Sequence, residues 1–389
     1  MVDVPVNPDV LIWAREERRL SRVDAAALLG ISDADLENFE TGLIVPSLGL
    51  VRKIAAKYEI TFASLLMPSP LPDDTRPKVD DFRTHLGQGP RWSHELAVAL
   101  DNINELIDAL VDLRDTASDL FPTPNLPRVR SGDDVRPIAA NERERIGVGL
   151  DEQFNWETER IAFNRWRAAI EAQGVFTYTE KLGEPADCKG FTIFDERQIP
   201  VLVINSEAGD YAPRTFTLLH EYAHLLLRQA GVSDENPNNS TERFCNQFAA
   251  YIAMPAEHFR PVAIALRGAN QEGWSDHVIG ELAKTFKVSR TAIVLHLEDM
   301  ALAPSGFYQT KMREWFLFGR RPRRGGLSTH AGRVTNRLGV RHVRVVLDAL
   351  DSGRINKLDA NELLNVRPDH FEALREEIRD RQMHYGGDT

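Results

Sequence analysis

TFTLLHEYAHLLLRQAG, residues Thr215–Gly231, sets His220 and His224 four positions apart in an otherwise apolar run. On an α-helix such residues project from one face, so both rings can present a nitrogen to a single ion. Glu221 follows the first of them, where a carboxylate can take a proton from water and pass it to a leaving amine. His-Glu-x-x-His is the spacing of zinc hydrolases. It is also compatible with two histidines packed in a core, because five residues with three of them fixed recur by chance.

The following segment bears on that choice. STERFCNQFAAYIAMP, Ser240–Pro255, reads as an apolar helix with Ser240 as N-cap and Glu242 in its first turn. A carboxylate there can face the histidine helix as a third ligand. Asn246, four residues on, shares its face and can hydrogen-bond the outer nitrogen of a ligating histidine. The helix dipole alone would also favour an acid at this position.

Working outward, GVFTYTE (174–180), KGFTIFD (189–195) and IPVLVIN (199–205) are β-branched and aromatic runs bounded by Gly, Asp and Pro. They predict three strands of a small sheet. Asn141–Ala172 ahead of them reads as helix, and so does most of the chain beyond Arg214, apart from loops at Asp234–Ser240 and Gly319–Gly326. Asn7–Pro68 has apolar residues at helical spacing in short runs, which predicts four or five short helices. PSPLPDDTRP, Pro68–Pro77, holds four prolines and predicts a linker, and Ser93–Leu113 an amphipathic helix.

At 389 residues the chain is too long for one core and is expected to divide into modules. It has no apolar run long enough to span a bilayer and no basic start followed by an apolar core, which predicts a cytoplasmic protein. With only Cys188 and Cys245, neither a disulfide framework nor a cysteine-rich zinc site is available. Any metal must be held by histidine and carboxylate. RVDAAALLGISDADLE (22–37) aligns without gaps on KLDANELLNVRPDHFE (357–372), and both read as helix, left-handed turn residue and helix.

FTLLHEYAHLLL, TERFCNQFAAYIAMP and LAKTFKVSRTAIVLHLEDMAL, in that order and after the three strand-like runs, closely resemble the ImmA/IrrE family of metallopeptidases. The resemblance covers Asn141 to about Tyr308. It implies Zn2+ held by His220, His224 and Glu242, Glu221 as general base, and cleavage of a protein substrate, commonly a transcriptional repressor. One departure is His296, where family members commonly carry Arg. An oxyanion-stabilising group stays unassigned among His296, Tyr222, Tyr251, His258 and Tyr308. An extended peptide would add as a strand to a sheet edge, with Lys189–Asp195 or Ile199–Asn205 as candidates.

Val10–Leu66 resembles the Xre-type helix-turn-helix domain through Leu28–Ser32, Glu40 before Gly42, and Pro46-Ser47. The helix that would enter the major groove carries Asp33, Asp35 and Glu37, which work against phosphate contact. Dimerisation, giving a homodimer, or capture of a protein partner is the alternative to DNA binding. Thr310–Leu347 reverses the balance, with ten bases against Glu314 in a chain of net charge −11. Arg320, Arg321, Arg323, Arg324, Arg333 and Arg337 are the candidate contacts to nucleic acid or an acidic partner. The alternative is a solvated face.

The expected fold class is α+β, mostly helical. It comprises an all-α helix-turn-helix domain (1–67), proline-rich linkers with a connecting helix (68–140), a zincin-like metallopeptidase domain with a small sheet (141–308) and a basic helical region with a second helix-turn-helix-like unit (309–389). This order resembles an ImmA/IrrE subgroup encoded beside PIN-like toxins. That implies a toxin–antitoxin or stress-regulatory partner. The rival reading is an antitoxin-like or DNA-binding regulator whose metal is structural or vestigial.

Overall fold

The computed structural model describes residues 3–18, 20–58, 60–70, 94–183, 188–195, 197–228, 231–232, 240–268, 273–316 and 328–385. Most of the proline-rich segment, the 233–239 loop, and Arg320, Arg321, Arg323 and Arg324 lie outside these residues. The chain forms two compact units, Met1–Glu105 with Lys181–Gly183, and Leu106–Glu180 with Glu184–Thr389.

The first unit opens with α1 (Pro8–Glu17), α2 (Arg22–Leu29), α3 (Asp33–Glu40), α4 (Leu48–Lys57) and α5 (Phe62–Leu65). Each starts where an Asn, Ser or Thr side chain accepts a hydrogen bond from an otherwise unpaired first-turn amide: Asn7, Ser21, Ser32, Ser47 and Thr61. Such caps contribute about 1 kcal/mol apiece. Gly30 closes α2 in the left-handed region at φ 62°. Val10, Leu11, Leu29, Leu36, Val51 and Ile54 fill the core. Arg15 clamps the carboxylate of buried Glu40 through Nε and Nη2 at 2.7 and 3.1 Å, tying α1 to α3.

The acids of α3 have local partners. Arg22 holds Asp33 at 2.8 Å and Glu37 at 3.1 Å, and Asp35 completes a capping box with Ser32. Just beyond α3, Leu43, Ile44 and Val45 are all exposed, Leu43 to 76%.

α6 (His94–Thr116) is the expected amphipathic helix. In the second unit the helix expected over Asn141–Ala172 is instead three: α7 (Val135–Arg145), α8 (Leu150–Asn155) and α9 (Glu159–Glu171). Gly147, at φ 72°, interrupts the run, and Thr158 caps a new helix by accepting from the Ile161 amide. The strands are β1 (Phe176–Glu180), β2 (Gly190–Ile193), β3 (Val201–Asn205) and a two-residue β4 (Gly231–Val232) that the sequence reading missed. Their order is β1-β3-β2-β4, with β1 parallel to β3 and the other pairs antiparallel.

This order corrects one expectation. Ile199–Asn205 is no sheet edge, because β3 pairs on both sides. β2 is flanked by β3 and, at Phe191 and Thr192, by β4.

Between β3 and β4 runs α10 (Tyr211–Leu227), packed against β2, β3, α9 and α11 (Ser240–Ala253). That enclosure explains why its sequence is apolar nearly all round rather than striped. Ser240 is the first residue of α11 rather than its N-cap. Among the described residues α12 (Ala256–Arg267), α13 (Asp276–Phe286), α14 (Arg290–Asp299) and α15 (Phe307–Phe316) follow.

Then come α16 (His330–Asp351), α17 (Lys357–Leu364) and α18 (Phe371–Tyr385), with α16 packed on β1. α16 bends at Gly339 (φ 82°, ψ 158°). A Cβ there would lie 2.8 Å from the Thr177 carbonyl oxygen and would also strike Glu171 Oε1, so only glycine fits. Beyond the bend, Glu171 accepts from the Arg341 amide at 3.0 Å, satisfying a first-turn donor of the second half of α16. The repeat with α2 extends to the backbone: α17 opens on the Asn356 cap and closes at left-handed Asn365 (φ 52°).

Candidate metal centre

α10 and α11 bring His220, His224 and Glu242 together. His220 Nε2 lies 3.2 Å from His224 Nε2 and 3.2 Å from Glu242 Oε2, and His224 Nε2 lies 3.3 Å from Glu242 Oε1. All three side chains are buried. Ligands about 2.0–2.2 Å from zinc in a tetrahedral array are separated by about 3.3 Å. The triangle formed by the two Nε2 atoms and the Glu242 carboxylate, which meets each ring with a different oxygen, has that size. Its chemistry agrees, because two imidazole nitrogens and a carboxylate facing one another are all acceptors unless a proton or a cation lies between them. The donor set fits Zn2+.

Helix periodicity supports the triangle. Asn246, one turn beyond Glu242 on α11, has its Oδ1 3.0 Å from His220 Nδ1. With Oδ1 accepting, His220 carries its proton on Nδ1 and turns the Nε2 lone pair toward the triangle. Burial pushes the Glu242 carboxyl upward, but contact with His220 and His224 outweighs it and holds the group at about 2. The third ligand candidate is therefore ionised at neutral pH.

Glu221 is fully buried, and its surroundings were not legible in the sequence. Thr192 of β2 places its Oγ1 2.9 Å from Glu221 Oε2 and 3.0 Å from the Glu221 carbonyl oxygen. Gly190, two residues earlier on the same face of β2, lies so close that a Cβ would sit 3.1 Å from Glu221 Cγ and 2.8 Å from the Val203 carbonyl. Neither residue type advertises such a role in a single sequence. A Gly-x-Thr facing a helix is recognisable only once the strand is paired.

The residues considered for oxyanion stabilisation have other surroundings. The Tyr222 hydroxyl donates to Glu142 at 2.5 Å and accepts from Arg145 at 2.9 Å, beneath the histidine helix. Tyr251 donates to Asp299 at 2.7 Å. His296 is buried edge-on to the rings of Tyr251 and Phe259, and burial, only partly opposed by Asp299 and the Met254 backbone, holds its pKa down at about 4. It packs as a neutral side chain. His258 is exposed, and the Tyr308 side chain packs, partly buried, against the core.

Three bases of the C-terminal stripe have partners within the fold, the first being Lys311, which pairs with Asp276 at 2.9 Å and Glu314 at 2.8 Å. Arg337 pairs with Glu180 at 2.7 Å, and Arg341 stacks over Phe176 at 4.9 Å. Arg333 and Arg344 remain exposed along α16.

Residues 170–298 match the model of the IrrE N-terminal-like domain, Peptidase_M78, and residues 10–63 match that of a helix-turn-helix domain. No curated protein matches the chain. No described helix is long and apolar enough to cross a membrane. The first match contains α10 and α11 with all three candidate ligands, and the second covers most of α1, all of α2–α4 and the first half of α5, so the chain joins an N-terminal segment similar to a helix-turn-helix domain to one similar to the IrrE N-terminal-like peptidase domain.

Proposed function

We propose that this protein is a zinc-dependent endopeptidase that regulates transcription or a toxin by limited proteolysis of a repressor or partner protein. The observation that carries the reading is the triangle of His220 Nε2, His224 Nε2 and Glu242, with sides of 3.2–3.3 Å, next to the buried carboxylate of Glu221. His220, His224 and Glu242 would hold the ion. When bound, zinc supplies Lewis-acid polarisation of the scissile carbonyl and of water.

The remaining steps belong to the chain. Glu221 removes a proton from the attacking water as its oxygen bonds to the carbonyl carbon, then delivers it to the amide nitrogen as the C–N bond breaks. Burial keeps bulk water from competing for that proton. Asn246 holds His220 in the tautomer that leaves Nε2 unprotonated.

The resemblance noted above supports a transcriptional repressor or a toxin–antitoxin component as substrate, and a PIN-like toxin as partner, in the cytoplasm. A second reading is favoured by the exposed Leu43, Ile44 and Val45 beside an acidic α3. Exposed aliphatic clusters mark protein contacts, so the N-terminal domain captures a protein or a second copy rather than duplex DNA. Replacing Glu221 by Gln tests the catalytic reading: the variant should retain stoichiometric zinc yet fail to cleave a co-expressed substrate, while His220→Ala should lose the zinc. A Glu221→Gln protein that still cleaves would end the assignment.

A further inference from the structure

In the proposed reaction the base must sit beside the metal ligands without becoming one. A carboxylate adjacent in sequence to His220 is a competent ligand, and coordination by it would consume both the base and the open position. The arrangement around Glu221 addresses that conflict.

We infer that β2 is a two-point seat for Glu221, in which Thr192 and Gly190 hold its carboxylate out of the His220–His224–Glu242 ligand set. The inference rests on the zinc-peptidase reading above. The Thr192 hydroxyl has one proton and two acceptors within reach, the Glu221 Oε2 at 2.9 Å and the Glu221 carbonyl oxygen at 3.0 Å. One side chain thus engages both the main chain and the carboxylate of the same residue, which limits rotation of the Glu221 side chain. Gly190 supplies the second point. Its missing side chain leaves room for the Glu221 stem, with Thr217 Cγ2 and the Val203 carbonyl closing the space from the other sides.

Period-two alternation puts residues 190 and 192 on the same face of β2, the face packed on α10. Central pairing makes the seat rigid: β2 bonds to β3 over its four residues, and Thr192 lies opposite Leu202 on one side and Gly231 on the other. Thr192 is a positioning residue. It acts through Glu221, the residue its hydroxyl engages.

The experiment uses the full chain, stripped of metal and titrated with Zn2+ against a chromophoric chelator, then with Co2+ while visible absorption is recorded. Thr192→Val keeps the shape and removes the donor, which loosens the hold on Glu221 in favour of the cation. Its affinity for Zn2+ should rise on the order of tenfold, the worth of one hydrogen bond to a charged group. Its Co2+ spectrum should change, because a further carboxylate has joined the ligand set. Thr192→Ser should restore both wild-type values, and adding Glu221→Gln to Thr192→Val should cancel the gain.

A general packing defect would weaken binding, so the direction of change separates positioning from structural damage. Thr192→Val with wild-type or weaker affinity and an unchanged spectrum would overturn the seat while leaving the metal site intact. Wild-type protein that binds neither ion would overturn the metal site itself, and the seat with it.

Discussion

Replacing Asn246 by Leu keeps the branching of the side chain and removes the acceptor, and its effect on zinc binding follows from a single contact. Asn246 Oδ1 stands 3.0 Å from His220 Nδ1. In the native arrangement the Nδ1 proton is satisfied and Nε2 is free to coordinate. In Asn246→Leu that proton has lost its acceptor, so His220 gives up the hydrogen bond and also the bias toward the Nδ1-protonated tautomer. Losses of this kind at outer contacts of metal-bound histidines cost 10–100-fold in affinity, or about 1.4–2.7 kcal/mol. A competition titration with a chromophoric zinc chelator reads this directly. Asn246→Asp, which keeps an acceptor and adds charge, should bind at least as tightly as wild type. The reasoning is refuted if Asn246→Leu binds zinc within twofold of wild type, because Asn246 would then have no hold on the tautomer.

Three further outcomes are expected. His342 lies buried between the Tyr178 hydroxyl and the Leu363 carbonyl, and burial, only partly offset by that carbonyl and assisted by Arg337, lowers its pKa from 6.5 to about 4. Its contribution to stability is present above about 6.5 and is lost as pH falls toward 4. Chemical denaturation at several pH values should therefore give a slope in that window that His342→Gln reduces by about 1.4 kcal/mol per pH unit. Gly339→Ala should destabilise the protein by about 2–4 kcal/mol, seen as a lower Tm, since it combines a positive φ with contacts to Thr177 and Glu171. The double substitution Arg52→Glu and Lys53→Glu on α4 should leave any salt-sensitive affinity of the full chain for duplex DNA unchanged in fluorescence anisotropy. A loss would return the helix-turn-helix domain to DNA.

Features with local causes were legible in advance. The helices at the N-terminus start at Asn, Ser and Thr caps because an extended residue with a short side-chain acceptor can satisfy first-turn amides without tertiary help. The left-handed turns at Gly30 and Asn365 have the same local character, and so the internal repeat survives as shape. The three-strand reading overlapped β1, β2 and β3 because β-branched and aromatic residues are concentrated there. The three-helix break between Asn141 and Ala172 was missed because periodicity continued across Gly147 while the backbone did not.

The arginine stripe shows the opposite case. Ten bases in one segment read as a single electrostatic feature, yet Arg337 serves Glu180 at the half-buried end of β1 and Arg341 a ring of the same strand. A charge count cannot distinguish an arginine that faces solvent from one that satisfies a half-buried carboxylate.

By itself the sequence determined that His220 and His224 share a helix face and that Glu242 and Asn246 share another, because the α-helical period is a property of the backbone. Only the tertiary structure decided that the two faces meet with their donors 3.2–3.3 Å apart, that β3 and β2 take the inner positions of the sheet, and that Thr192 and Gly190 receive Glu221. Those outcomes depend on which apolar surfaces exclude water together. That pairing of distant segments leaves no periodic trace in the order of residues.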